Sequence, residues 1–531
     1  MQRRGLASAA TAAAEASRPR SVVVVGSGVS GLSAAWFVRR QARRHGADVR
    51  IQLVSDTPRP GGWVRTDRAS GSADHLLEAG PRTLRPVGVV GASTLELVHD
   101  LGLAGSVVTA SKTSPAAQNR YVLCGGRLNK LPTSLMGMLT SNEPALRGLV
   151  RAALMEPFRP RSAQPDETIA DFVNRRLGAR ICDNLVSAVI HGIYAGDVHQ
   201  LSARSTINFL WEMERKHGSI AGGIAAAAFS ALSSSSASAA PDPVAADLMS
   251  QIAADPACKQ FVDGIQKNAS IYSFTNGMQV LTDTLIDRLR ADNVEVIQTA
   301  SVGIRQQSAE PTSHLEVALA NGRILLADHV VSAVPASTLS RLLPASRITP
   351  LLAHNPAATV AVVNLVYRGD LLPLQGFGYL VPRSERHSTD IIGCIFDSCT
   401  LPNQASPAGY TRLTVMMGGP TATFCERFGD PASVDPDVLQ QKAVGAVAAH
   451  LGIAPTALAT SRVSVLRDCI PHYAVGHADR VASVEAFIEQ TMPGRLSLVG
   501  SSYRGVGVND CVHTARAAAF HLFGKNAHVL A

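Results

Sequence analysis

The sequence predicts an α/β, Rossmann-like nucleotide-binding fold whose sheet is interrupted by an inserted β-rich module and an inserted helical module. Three observations carry this. A short apolar run, Val22–Val25, leads directly into Gly26-Ser27-Gly28-Val29-Ser30-Gly31 and then a helical stretch. A second run, Val49 to Val54, completes a βαβ start, and a strand–glycine loop–helix returns near the C-terminus. Between them the spacing turns helical and then strand-like. A length of 531 residues suits three or four modules. With 46% apolar and 17% charged residues, the chain is not a disordered one.

Val22–Val25 is uncharged and β-branched, the pattern of a strand buried on both faces. The helix runs from about Leu32 to Arg44. Arg39, Arg40, Arg43 and Arg44 crowd its last turns, where the helix dipole favours cations, and Gly46 is placed to end it. Residues 126–267 carry helical spacing, as in Ile169, Phe172, Val173 and Leu177, then Leu185, Val186, Val189 and Ile190. A low-complexity Ser/Ala linker at 231–243 interrupts them. Strand runs resume at Val294–Ile297 and Ile324–Val334, and a β-rich region covers Thr359–Gly419. The last strand, Leu496–Val499, precedes a helix reaching about Leu522.

The net charge is +8, of which residues 1–20 supply +3 (Arg3, Arg4, Arg18 and Arg20 against Glu15), leaving +5. This Arg-, Ser- and Ala-rich, acid-poor start reads as a mitochondrial presequence. No Lys/Arg run is interleaved with aromatics, so nucleic acid is not an expected partner, whereas an anionic membrane surface is. The longest charge-free apolar stretch, Ser219–Leu232, is too short to span a bilayer. The eight cysteines include no C-x-x-C, so neither a zinc site nor a disulfide framework is expected, and no metal is assigned.

In the first glycine motif, Gly26 allows the tight turn, Gly28 lets backbone approach a pyrophosphate, and Gly31 lets helix and strand pack closely. An acid would normally end the second strand and hold a ribose hydroxyl. Ser55 stands there instead, with Asp56 one residue late; Ser55, Asp56 or neither touches the ribose. Two further loops argue for FAD over a nicotinamide nucleotide. Arg59-Pro60-Gly61-Gly62-Trp63-Val64-Arg65 makes a second close-approach loop, followed by Glu78-Ala79-Gly80-Pro81-Arg82. Gly500-Ser501-Ser502-Tyr503-Arg504-Gly505-Val506-Gly507-Val508-Asn509-Asp510 makes a third, with Asn509 or Asp510 expected to cap the helix that follows. Its N-terminus would face a reduced, anionic flavin.

With these pieces in place, the sequence resembles the eukaryotic protoporphyrinogen oxidases of the flavin amine-oxidase superfamily. The resemblance runs from Val22 to about Phe523. It rests on Gly61-Gly62-Trp63, Glu78 to Arg82, Ala116-Ala117-Gln118-Asn119-Arg120, Pro165-Asp166-Glu167-Thr168, Gln375-Gly376-Phe377-Gly378 and Val508-Asn509-Asp510-Cys511. It is poor from Gly218 to about Ala269. The resemblance implies an FAD-binding domain at 21–110, 268–340 and 485–531. It further implies a β-rich substrate domain at 111–125 and 341–484, and a helical membrane-facing domain at 126–267. Cofactor contacts are implied at Gly26, Ser27, Gly28, Val29, Ser30, Gly31, Ser55, Trp63, Gly80, Pro81, Arg82 and Thr83. Val302, Ser501, Val506, Gly507 and Val508 complete the set. Ser502 occupies the place where monoamine oxidases carry the flavin-tethering cysteine, so FAD is expected to be non-covalent.

The implied reaction oxidises protoporphyrinogen IX to protoporphyrin IX in haem synthesis. It takes six electrons in three flavin turnovers, with molecular oxygen as acceptor and hydrogen peroxide released. Arg120 falls on the propionate-binding position, where a guanidinium fork suits a carboxylate, and Phe377 and Leu380 fall on the ring-sandwiching positions. No general base is assigned; His191, His199, His472 and His513 read as structural. The implied setting is peripheral attachment to the mitochondrial inner membrane, with hand-over of product to the iron-inserting enzyme. An amine or polyene oxidase of the same superfamily, and a non-catalytic tetrapyrrole-binding flavoprotein, are the alternatives.

Overall fold

Val22 and Val24 point into one apolar core and Val23 and Val25 into another, which is what a strand buried on both faces requires. This strand (β1, Ser21–Val25) is the centre of a five-stranded parallel sheet in the computed structural model, which describes residues 21–69, 75–132, 134–141, 143–233, 242–308, 313–404 and 406–524. The expected presequence, residues 1–20, and most of the Ser/Ala linker lie outside the described residues. β1 pairs with β2 (Arg50–Ser55) and β13 (His329–Ser332), and β9 (Glu295–Gln298) and β19 (Leu496–Leu498) form the edges. Helices α1 (Val29–Arg44) and α2 (Gly88–Asp100) cover one face. The other face meets an antiparallel sheet of β10 (Ser301–Gln306), β11 (Leu315–Leu319) and β12 (Ile324–Ala327). Two hairpin-like pairs flank this core: β3 (Thr66–Arg68) with β4 (Leu76–Glu78), and β5 (Val107–Ser111) with β8 (Ala269–Phe274).

The expected single strand Ile324–Val334 is two strands. Asp328 divides it, accepting the Ser21 N–H at 2.9 Å on its carboxylate, so the chain leaves the antiparallel sheet as β12 and enters the parallel one as β13.

A seven-stranded sheet, the expected substrate sheet, carries Arg120 and Leu380 on its strands. Its order is β18 (Leu458–Pro471), β14 (Ala357–Arg368), β17 (Tyr410–Pro420), β16 (Ile391–Ile395), β15 (Gly378–Leu380), β6 (Arg120–Cys124) and β7 (Arg127–Leu131). Gly125 and Gly126 join β6 to β7 with φ of +64° and +69°, a two-residue turn that glycine adopts without a Cβ clash. The boundary expected at 125/126 therefore cuts a hairpin, and β7 stays with the substrate sheet. β18 lies beyond the β-rich region read from the sequence; its part-buried Ser/Arg/Asp-bearing run hides its strand character.

The helical module is built from α3 (Ile169–Leu177), α4 (Ser187–Tyr194) and α5 (Asn208–His217), around Phe172 and Trp211. Arg176 is fully buried within it, ion-paired to Glu214 and Glu156. The next two helices, α6 (Pro243–Ala254) and α7 (Pro256–Asn268), depart from the expected 126–267 unit. Leu248, Ile252, Cys258 and Val262 join the core around α2, so this stretch packs on the nucleotide-binding fold. The tail then supplies α8 (Gln279–Ala291), α9 (Pro436–Leu451) on the substrate sheet, α10 (His477–Thr491), and α11 (Val508–Phe523) against α1.

Candidate active site

The three glycines of the first motif answer to three different constraints. Gly26 has φ +105°. A Cβ on Gly31 would collide with the Gly26 carbonyl oxygen, so α1 rests directly on the end of β1. A Cβ on Gly28 would meet no protein atom within 4 Å. Nothing in the fold itself demands glycine there; the open space above it does. Gly28 is also the N-cap of α1 and offers no side-chain acceptor, leaving the first-turn N–H groups facing that space. The residues present thus fit a pyrophosphate.

The second loop lies against the first: the Gly61 N–H donates to the Ser27 carbonyl at 2.8 Å, and a Cβ on Gly62 would sit 3.2 Å from Gly28 Cα. Arg59 braces it by donating to the carbonyls of Gly62 and Val64 at 2.8 and 3.0 Å. Trp63 is exposed, and its carbonyl presses on Gly80, where any Cβ would collide with it. The third loop returns to α1, with a Cβ on Gly500 3.4 Å from Ser30 Oγ. Its helix is capped otherwise than expected. The N-cap of α11 is Gly507, and Asp510, three residues on, accepts the Gly507 N–H at 3.0 Å. Asn509 instead donates to the Arg85 carbonyl at 2.7 Å.

Ser55 is buried, and its hydroxyl donates to the Thr57 carbonyl at 2.9 Å while lying 2.6 Å from Ser27 Oγ. Its proton is already placed within the chain, and Asp56 is exposed. Ser502 is likewise engaged, accepting from the Ala336 N–H and from Asn355 Nδ2. Val506 and Gly507 border the third loop's end, and Val302 is exposed on β10.

Beside Gly80, Pro81 and Thr83 lies a narrow polar cavity lined by Glu78, Arg82, Asn364, Asp397 and Arg412. Arg82 donates to Asp397 at 3.0 Å. Among the described residues its Nε and Nη2, both buried, have no partner. The space beside these donors, about 10 Å³, admits an acceptor the size of a water. Sequence reasoning assigns no role to Glu78, although an acid closing the apolar run Leu76-Leu77 is the signal. Its carboxylate accepts the Met278 N–H at 2.7 Å and the Thr66 hydroxyl at 2.8 Å, joining β4 to the start of α8. Burial pushes its pKa up to about 7 despite these bonds and the nearby Arg82.

The parallel pairing of β6 with β15 sets Tyr121 beside Tyr379 and Val122 beside Leu380. Just before this register, the Phe377 N–H donates to the Asn119 carbonyl at 3.0 Å, so Arg120 and Phe377 lie at one end of the pair. Phe377 is half-buried against Ala110, Ala116 and Ile271. Leu380 is half-buried on the side of α4, where a Cβ on Gly192 would collide with it. Arg120 is exposed and, among the described residues, makes no ion pair. Desolvation and then the like charge of Arg85 lower its pKa. A cation so placed is stabilised by an incoming carboxylate. Arg85, which sequence reasoning also misses, follows Arg82 by three residues in the same loop. His191 contacts the Val381 carbonyl at 3.3 Å and His472 the Tyr194 carbonyl at 3.1 Å, and burial with the Arg386 charge pulls the His191 pKa down to about 4.

Glu78 makes stability pH-dependent. The folded protein holds this proton more tightly than the unfolded chain, whose pKa is near the ordinary 4.5. Stability is level below about 4.5, falls as pH rises towards about 7, and is level again above it. Within that window each pH unit costs about 1.4 kcal/mol. Glu78→Gln should therefore gain on the order of 2 kcal/mol relative to wild type between pH 5 and pH 7.5 in urea unfolding. Parallel pH profiles for the two proteins would contradict this.

Residues 29–522 match the family described as flavin-containing amine oxidoreductase. The protoporphyrinogen oxidase of Homo sapiens is 36% identical over 509 residues, covering 95% of this chain and 98% of that protein. That of Schizosaccharomyces pombe is 31% identical over 510 residues, covering 94% and 98%. A solved structure from Exiguobacterium sp. 255-15 superposes with a TM-score of 0.70 at 24% identity, over 95% of this chain and 98% of that one, and speaks to the fold alone. The chain belongs to the flavin-containing amine oxidoreductase family and, within it, to the protoporphyrinogen oxidases.

Proposed function

We infer that this protein oxidises protoporphyrinogen IX to protoporphyrin IX with FAD as cofactor and oxygen as acceptor. The observation that carries the reading is the open space at Gly28, ringed by three glycine loops, in a fold that also sets an unpaired Arg120 beside Phe377. The chemistry FAD supplies when bound is two-electron oxidation renewed by oxygen, so six electrons require three turnovers. The chain's own residues bind and orient. The bare first-turn amides of α1 take the pyrophosphate, and the third glycine loop closes on Ser30 of the same helix. Because Ser502 is a hydroxyl held in two hydrogen bonds, the cofactor is non-covalent. Arg120 holds a propionate, Phe377 and Leu380 supply apolar walls, and the substrate positions span 111–131 and 341–471.

The helical module is the membrane-facing part on this reading. The five most exposed large apolar side chains among the described residues, Phe158, Phe229, Phe209, Met136 and Leu154, are 80, 72, 71, 69 and 68% exposed, and all belong to it. Among the described residues no helix is long and apolar enough to cross a membrane; the exposed side chains support peripheral contact. With the presequence at 1–20, the setting is the mitochondrial inner membrane.

Gly28→Val should fold normally, since the new side chain enters open space, yet purify without a yellow flavin spectrum. Normal flavin content would contradict the placement of the pyrophosphate. Arg120→Ala should lower kcat/KM for protoporphyrinogen, followed by porphyrin fluorescence, about ten- to a hundredfold at unchanged flavin content. Arg120→Lys should recover part of the loss, because a point charge lacks the planar fork. Equal kcat/KM for wild type and Arg120→Ala would make Arg120 a surface residue. Phe158→Glu with Phe209→Glu should abolish flotation on cardiolipin-containing vesicles without changing flavin content; unchanged flotation would move the docking face elsewhere.

A further inference from the structure

The 473–477 turn, between β18 and α10, reaches the third glycine loop in three places. The Tyr473 hydroxyl accepts the Gly505 N–H at 2.7 Å and donates to the Ser501 carbonyl at 2.6 Å, closing the loop across four residues. His477 Nε2 lies 2.9 Å from the Tyr503 carbonyl, and because a carbonyl only accepts, this nitrogen carries the hydrogen. The two rings stack at 4.0 Å with planes 11° apart, so each fixes the other. Burial raises the Tyr473 pKa well above that of a free phenol, which keeps its donor hydrogen in place.

The same turn is held from the helical module. Asp166 is buried, and four donors converge on its carboxylate: the Gly476 N–H at 2.8 Å, the Ser202 hydroxyl at 2.8 Å, the Glu167 N–H at 2.9 Å and the Arg204 N–H at 3.4 Å. Only an acceptor-only group satisfies such a cluster. The Ser202 N–H donates in turn to the Tyr473 carbonyl at 2.7 Å, and Leu201 bridges to Ala474. A continuous set of buried hydrogen bonds thus runs from Asp166, through the turn, to both sides of the loop that precedes α11.

We propose that Tyr473 is a positioning residue for the C-terminal cofactor loop, and that Asp166 fastens it to the helical module. The loop ends at the N-terminus of α11, so its conformation sets where the backbone of residues 501–508 lies against the flavin. Tyr473 touches no reacting atom; it fixes the backbone that does. The inference rests on placing the flavin against this loop, as in the preceding subsection.

Tyr473→Phe keeps the stacked ring and removes both loop hydrogen bonds. In apoprotein, hydrogen–deuterium exchange of peptides covering 499–508 should become faster than in wild type. FAD titrated into that apoprotein, followed by quenching of its fluorescence, should bind about ten- to a hundredfold more weakly. Asp166→Asn, or Ser202→Ala should the former not fold, should speed exchange at both 471–478 and 499–508. Unchanged exchange at 499–508 in Tyr473→Phe would overturn the clamp. Faster exchange with unchanged FAD affinity would overturn the placement of the cofactor on this loop, and the positioning role with it. An Asp166→Asn protein that loosens 471–478 alone would overturn the link to the helical module.

Discussion

The bare amides at the start of α1 are the constraint around which the cofactor region is arranged. A helix N-terminus attracts an anion only while no side chain caps it. Gly28 leaves it uncapped, and Gly31 presses the helix onto the end of β1, so the amides have one fixed direction. The Gly61-Gly62 loop then lies on Gly28, and Gly500 approaches Ser30 from the far strand. Segments far apart in sequence converge on one helical turn because the order β19-β13-β1-β2 brings their strand ends side by side. FAD, elongated and with two phosphates, matches a site assembled from three strand ends better than a single-loop pocket would.

This convergence is legible in the sequence because each loop carries its own local marker. Glycines announce all three turns, and the alternation of Val22–Val25 between two cores follows from an uncharged β-branched run. Where the sequence pattern and the structure part, the deciding contact is long-range. Asp328 splits a continuous strand pattern because Ser21 needs an acceptor across the sheet. Helices α6 and α7 have helical spacing whichever body they pack on, and only the apolar face of α2 decides it. The cap of α11 falls on Gly507 rather than on Asn509 or Asp510, because Asp510 acts backwards on the Gly507 N–H. Arg120 and Phe377 emerge by resemblance alone; the parallel β6/β15 register that brings them together leaves no trace in spacing.

Charge is distributed with a similar economy. Inside the molecule, Arg176 is paired with Glu214, Arg516 with Glu96, and Arg82 with Asp397. Each pairing offsets a desolvation cost that an isolated cation would leave unmet. Arg120 is the contrast: it stands near Arg85, with no acid in reach among the described residues. On the proposed function, a carboxylate-bearing substrate would complete there the pairing that the protein provides for itself elsewhere.

On the proposed function, helix α4 borders both the substrate slot and the apolar face. Gly192 faces Leu380 so closely that no side chain fits between them, while Val189 and Ile193 are exposed on the same helix. Val189, Gly192 and Ile193 are three and four residues apart, so one face of α4 carries both the contact with Leu380 and apolar side chains left exposed. On the proposed function, a macrocycle leaving the bilayer along this face would reach Leu380 with little apolar surface returned to water. The hydrophobic cost of crossing an aqueous gap, about 25 cal/mol for each Å² of apolar surface, is thereby kept out of the binding free energy.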